Sequence, residues 1–260
     1  MMDAVVISGG RPGPEDPLYP FTLGKPKALL EIGGRPMLDW VLEALSEAES
    51  VGRIFVIGLT EEEARAQSKW AATWLPDQGS MIANIREGLA ALRREHPGSE
   101  RALLVSADIP AITPDVVDWR VEAAQAAPAD IDYSIVSRAT MEARFPGVQR
   151  SYVRLRDVEV CGGDINVIRT DLVENQALWE RLIAARKSAR RQAALLGLDL
   201  LLLLLTRRMS LAEAERRASA RLGLHGHATL SPYAEVAMDL DKPAHLTILE
   251  DHLSARTRHG

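Results

Sequence analysis

The chain has 260 residues, with 31 Lys plus Arg against 36 Asp plus Glu, a net charge of −5, and 47% apolar side chains. That length and apolar share suit one large α/β domain with a sizeable core and leave little room for a second full one. The mildly acidic balance argues against broad nucleic-acid binding but allows a local phosphate pocket, and the single cysteine, Cys161, excludes an internal disulfide and a Cys-rich metal site.

Ala4–Ile7 is an apolar run closed by Gly9-Gly10, which predicts a buried first strand. The chain enters it from Met1-Met2-Asp3 with no basic segment or cleavage pattern, so no signal peptide is expected. Residues 11–27, rich in Pro and Gly, predict a long loop. Met37–Ala48 has helical apolar spacing, Arg53–Gly58 reads as a strand, and Trp70 and Trp74, four apart, fit a helix face. Ile82–Arg94 predicts a helix and Ala102–Ser106 a buried strand that ends at Asp108. Thr113-Pro114 opens a helix to Ala127 as N-cap and first-turn pair, and Asp132–Ser137 alternates as a strand. Strands at Tyr152–Arg156 and Ile165–Ile168 follow, then a helix over Leu178–Arg191. Ser210–Leu222 is a helix with a Ser210/Glu213 capping box and Gly223 at its end. His225 and His227 fit a surface turn, Glu235–Leu240 a late strand, and His245–His252 a last helix. The most apolar stretch, Leu195–Leu205, is broken by Gly197 and Asp199 and falls short of the ~20 residues that span a bilayer. A cytoplasmic protein without a membrane partner is expected. Strand–helix alternation predicts a three-layer α/β sandwich with a mainly parallel sheet over residues 1–260, and residues 177–224 read as a helical insertion within it.

Four segments carry chemistry. Ser8-Gly9-Gly10 lets the backbone approach a phosphate, and the loop after it closes on Lys25-Pro26-Lys27, cations suited to a leaving pyrophosphate. Gln78-Gly79-Ser80 with Asn84 offers backbone donors and amides that can read a base edge; Ser80 also suits an ordinary N-cap. Asp108, just past a buried strand, sits where open α/β sheets bind ligands, and a carboxylate there suits Mg²⁺ as well as a helix cap. Asp239 and Asp241 flank Leu240 and share a face if the strand persists.

The run from Ser8-Gly9-Gly10 through Pro26-Lys27-Ala28-Leu29-Leu30-Glu31-Ile32-Gly33-Gly34-Arg35-Pro36-Met37 resembles the N-terminal signature of the NTP transferase superfamily, which includes sugar-phosphate and molybdopterin nucleotidyltransferases. The resemblance implies that Gly9, Gly10 and Lys27 hold a nucleoside triphosphate, with the 78–84 segment against the base. It implies Mg²⁺ on Asp108 and Asp241, with Asp239 the neighbouring candidate, and Lys27 and Asp108 as the catalytic pair. The chain departs from the pattern after the strand: a Thr-Arg pair is replaced by Arg11-Pro12, leaving Arg11 or Lys25 to supply the charge. In Cys161-Gly162-Gly163-Asp164-Ile165-Asn166 the implied role is acceptor binding by Gly163, Asp164 and Asn166, although Asp164 stands where an amide is expected. Arg150, Arg154 and Arg156 precede it; Arg154 and Arg156 share a face by alternation, and Arg154 is the candidate for an acceptor phosphate.

The expected activity is transfer of a nucleoside monophosphate from an NTP to a phosphorylated small-molecule acceptor, with pyrophosphate released. A homo-oligomer is compatible with this. A glycosyltransferase of related fold and a catalytically silent nucleotide-binding module are the competing readings.

Overall fold

The computed structural model describes residues 1–67, 69–186 and 209–257. The strands are β1 Met2–Ile7, β2 Glu31–Ile32, β3 Arg35–Pro36, β4 Val51–Leu59, β5 Thr73–Pro76, β6 Arg101–Ser106, β7 Ile131–Ser137, β8 Val153–Arg154, β9 Glu159–Gly162, β10 Ile165–Arg169 and β11 Gly226–Ser231. The α-helices are α1 Tyr19–Thr22, α2 Met37–Glu47, α3 Glu61–Ala66, α4 Met81–Glu95, α5 Pro114–Ala126, α6 Arg138–Arg144, α7 Gln176–Arg186, α8 Leu211–Leu222 and α9 Pro243–Thr257.

The main sheet runs β5-β4-β1-β6-β10-β7-β9-β8, with β11 on the far side of β7. β5, β4, β1, β6, β7 and β11 share one direction, and β10 and β9 run against it. The sheet is therefore mixed, and the half formed by β5, β4, β1 and β6 is parallel. Alternation along β1 builds the layers: Ala4 and Val6 join one core with α2, α5 and α9, while Val5 joins another with Phe55, Leu89 and Trp179. Helices on both faces bury β1 through Val6, so Ala4–Ile7 reads as a continuous apolar run. A Cβ on Gly88 would lie 2.4 Å from Val5 Cγ1, so this glycine lets α4 sit directly on β1.

The caps follow the sequence. Thr113 accepts from Val116 N, and Ser80 from Ala83 N. Ser210 accepts from Glu213 N, and Gly223 is left-handed at φ 70°. The Glu213 side chain bonds Arg217 instead of returning to Ser210; the reciprocal box forms at α3, between Thr60 and Glu63.

Four expectations need correction. Glu235–Leu240 is not a strand: Ala234–Ala237 is a 3₁₀ turn and the chain continues irregularly, because a fully buried apolar run has no alternation to separate the two states. Trp74 lies in β5, not on a helix with Trp70, although both pack against the same core. His225 and His227 flank a strand start: β11 gains its ladder from β7, and His227 pairs with Glu215 at 2.7 Å. The expected strand at 152–156 shrinks to β8. The expected helix at 178–191 is present as far as it is described, to Arg186, and the rest of it, with Leu195–Leu205, lies outside the described residues. No helix among the described residues is long and apolar enough to cross a membrane.

Candidate active site

The carboxyl ends of β1, β5 and β6 open into one cleft of about 580 Å³. Ser8, Gly9, Gly10, Arg11, Lys27, Gly79, Ser80, Asn84, Asp108 and Asp241 all line it, so the structure brings together candidates spread over more than 200 residues of sequence. Gly9 is wedged: a Cβ there would meet Asn84 Nδ2 at 2.9 Å and Asp77 Oδ1 at 3.0 Å. Gly10 faces open space, and its carbonyl accepts from Lys27 N at 2.7 Å, which closes the 11–26 loop at its base. Ser8 Oγ donates to Ile57 O at 2.8 Å, so this hydroxyl ties β1 to β4.

The two candidate replacements for the missing Thr-Arg pair separate. Arg11 lines the cleft and forks onto Glu63, at 3.1 and 2.7 Å. Lys25 is exposed and does not line the cleft. In the 77–84 segment the amides serve the loop itself. Asn84 is buried; its Oδ1 accepts from Gln78 N at 2.7 Å and its Nδ2 donates to Asp77 Oδ1 at 2.8 Å. Gln78 Nε2 donates to Pro76 O, and its side chain stays outside the cleft lining. Asp77 enters the lining in its place, a residue with no motif signal beyond its position at the end of a strand that was itself missed.

Lys27 Nζ sits between two carboxylates, 2.5 Å from Asp108 Oδ2 and 3.3 Å from Asp241 Oδ1. Burial alone would push the Lys27 pKa down, but the charge of Asp108, and then Asp241, outweighs it and holds the ammonium above its ordinary value. Ser106 Oγ donates to Asp108 Oδ1 at 2.5 Å, and Leu240 N donates to Asp108 O at 3.0 Å, which joins the β6 end to the 239–241 turn. Asp108, Asp239 and Asp241 each bring one oxygen within 4.8 Å of the others. Three hard oxygen donors at that spacing fit a divalent cation such as Mg²⁺. The two C-terminal acids differ sharply: Asp239 is buried and paired with Arg150, whereas the Asp241 side chain is 57% exposed.

A second cleft of about 290 Å³ meets the first at Asp241. Tyr133, Gln149, Arg150, Asp164, Asp239, Lys242 and His245 are among its lining. Of the acceptor-side candidates only Asp164 reaches it. Arg154 points away and pairs with Glu159 at 3.1 Å. Asn166 is spent on Ser134 N and Gly163 O, and Gly163 packs against Ser134 and Val236. Arg150 and Lys242 supply the positive charge instead. His245 is buried, with Nδ1 against Asp239 O at 2.9 Å and Asp241 N at 3.4 Å, so the α9 start braces the acidic turn.

The Asp164 carboxyl makes no hydrogen bond among the described residues. Burial, then the charges of Asp108 and Asp241, push its pKa up to about 7. The unfolded chain would ionise it near 3.9, so its ionisation opposes folding progressively from about pH 4 to pH 7. Asp164→Asn is therefore expected to raise the melting temperature in chelator, by about 5 °C more at pH 8 than at pH 5. A difference that stays flat over that range would refute the assignment.

A family model described as a MobA-like NTP transferase domain matches residues 5–221. A hypothetical transferase from Thermus thermophilus is 34% identical over 94% of this chain and 99% of its own, with a TM-score of 0.80. The fold alone is shared with CMP:2-keto-3-deoxy-manno-octonic acid synthetase complexed with CTP, at 17% identity over 100% of both chains and a TM-score of 0.56. The same holds for molybdopterin-guanine dinucleotide biosynthesis protein A from Archaeoglobus fulgidus, at 15% identity over 98% of this chain and 100% of that one, with a TM-score of 0.54. A glycine-lined cleft at the carboxyl edge of β1, a lysine held on a strand-end aspartate and a family match over residues 5–221 agree: the chain belongs to the MobA-like NTP transferase family.

Proposed function

We propose that the protein transfers a nucleoside monophosphate from an NTP to a small phosphorylated acceptor and releases pyrophosphate. The observation that carries this reading is the meeting of two clefts at one charged centre: Asp241 lines both, and Lys27 and Asp108 stand beside it in the first. The NTP occupies the larger cleft, with its phosphates along Gly9, Gly10 and Lys27 and its base toward Gly79 and Ser80. The acceptor occupies the smaller one, its phosphate toward Arg150 and Lys242. An acceptor phosphate oxygen attacks the α-phosphorus, the bond from that phosphorus to the bridging oxygen breaks, and pyrophosphate leaves. The attacking oxygen is already ionised, so no general base is needed. Lys27 exchanges its carboxylate partners for phosphate oxygens and stabilises the departing charge. Asp108 and Asp241 would hold Mg²⁺, with Asp239 beside them; when bound, the ion offsets negative charge on the α-phosphate.

The test is a panel of NTPs against phosphorylated acceptors with a pyrophosphate readout. Pyrophosphate formed only when both substrates are present supports the transferase. Nucleoside diphosphate released from a nucleotide sugar would replace it with the glycosyltransferase reading, and nucleotide binding without any turnover with the silent module.

The burial difference between the two C-terminal acids separates their variants. Asp241→Asn is expected to raise the Mg²⁺ needed for half-maximal rate by at least about 10-fold, with little change in melting temperature. Asp239→Asn leaves Arg150 without its buried counter-charge, so it lowers the melting temperature and shifts the Mg²⁺ requirement less. A metal titration and a thermal melt on each variant decide it, and the reverse ranking would exchange their roles.

A further inference from the structure

We propose that Arg120 is a positioning residue for the carboxylate centre: it holds the bulge through which Asp164 bridges the strand end carrying Asp108 and the turn carrying Asp239 and Asp241. Arg120 projects from α5 with no solvent exposure. A buried guanidinium requires full pairing. Its Nη1 donates to Asp132 Oδ2 at 2.9 Å and its Nη2 to Asp132 O at 2.8 Å, and Thr229 Oγ1 donates to Asp132 Oδ1 at 2.7 Å. The ion pair is complete without Nε, which is directed elsewhere: it donates to Ser134 Oγ at 2.8 Å and to Ile165 O at 3.0 Å.

Those two acceptors sit at a break in the sheet. β7 pairs with β9 through Ile135 and Gly162, and with β10 through Asp132 and Val167. Between these pairs, residues 133–134 face residues 163–166, so two residues oppose four and the ladder loses regular bonds. Side chains replace them. Ser134 N donates to Asn166 Oδ1 at 2.8 Å, Asn166 Nδ2 donates to Gly163 O at 3.3 Å, and Ile165 O accepts from both Ser134 Oγ and Arg120.

The bulge has a geometric product. Asp164 O accepts from Ser106 N at 3.0 Å, two residues before Asp108, and Asp164 N donates to Val236 O at 2.7 Å, three residues before Asp239. The Asp164 main chain thus spans the two segments that bear the acidic triad. A well-packed apolar pair would serve the core as well as Arg120 and Asp132 do. What an apolar pair would not supply is the Nε–H that ties Ser134 Oγ and Ile165 O to each other and to α5.

This inference rests on the reading of the triad as a divalent-metal site, and Mn²⁺ affinity of the nucleotide-free protein, from an EPR titration, tests it without turnover. Two variants are needed. Arg120→Lys keeps a cation beside Asp132 but lacks the planar fork that also reaches Ile165 O. Arg120→Met with Asp132→Asn removes both charges and so leaves none buried unpaired. Both are expected to fold cooperatively, to exchange amide hydrogens faster over residues 163–166, and to bind Mn²⁺ at least about 10-fold more weakly. Wild-type Mn²⁺ affinity in either folded variant overturns the proposal. So does failure of both variants to fold, which assigns Arg120 to the fold alone. Asp108→Asn is the control: if it binds Mn²⁺ like wild type, the metal reading itself fails. If it loses Mn²⁺ while the Arg120 variants retain it, only the Arg120 proposal does.

Discussion

Asp108→Asn is expected to lower pyrophosphate release by at least about 10³-fold while leaving the protein folded. Asparagine preserves the shape of the side chain and an acceptor for Ser106 Oγ, and the link from Leu240 N to the residue-108 carbonyl is main-chain and survives. What disappears is one negative charge from a centre that also holds Asp164, Asp239 and Asp241. In the absence of nucleotide that loss relieves repulsion on Asp164 while taking from Lys27 the nearer of its two carboxylate partners, so the two effects offset and the melting temperature is expected to change little. In the proposed transfer the same charge would be needed to hold the cation that offsets negative charge on the α-phosphate. The measurement is a single-turnover rate with saturating NTP, beside a thermal melt. Wild-type turnover by a folded Asp108→Asn protein, or full turnover in EDTA, would remove Asp108 from the chemistry.

Lys27→Met is expected to lower both stability and rate. Lys27 is the cation between Asp108 and Asp241, so methionine leaves those carboxylates facing each other and lowers the melting temperature of the nucleotide-free protein at low salt. Added Mg²⁺ should restore stability to Lys27→Met more than it stabilises wild type, since the ion takes over the charge that the lysine supplied. Turnover should fall about 10²–10³-fold, with a smaller rise in the KM for NTP, because a lysine facing the leaving group interacts most strongly as charge develops there. Steady-state kinetics and melts with and without Mg²⁺ test both halves. A change confined to the acceptor KM would move Lys27 to a different pocket.

The sequence by itself determined the elements whose signals are local. β1, β4 and β6 are mostly buried and read as apolar runs; α2 and α4 carry one apolar stripe each; Thr113, Ser80 and Ser210 cap through hydrogen bonds made within three residues. The cleft residues Ser8–Gly10 and Asp108 were legible for the same reason, since they follow directly from strand ends at the carboxyl edge of a parallel sheet, and Lys27 is brought to them by its main-chain bond to Gly10 O. Tertiary structure decided the rest. β11 exists through its ladder to β7, and β5 through its ladder to β4, and no periodicity in short segments announces a distant partner. The 239–241 turn is irregular because Leu240 N bonds Asp108 O, more than 130 residues away in sequence, and a buried apolar run looks alike in a strand and in a packed turn. Arg150 displaced Arg154 because a salt bridge to Asp239 and a cleft wall are defined only once the chain has folded. Asn166, which as an amide suits a ligand, is taken by main-chain groups at a bulge, and Asn84 by Gln78 N and the Asp77 carboxylate in a loop; only the three-dimensional pairing reveals which polar atoms those irregularities leave to be satisfied.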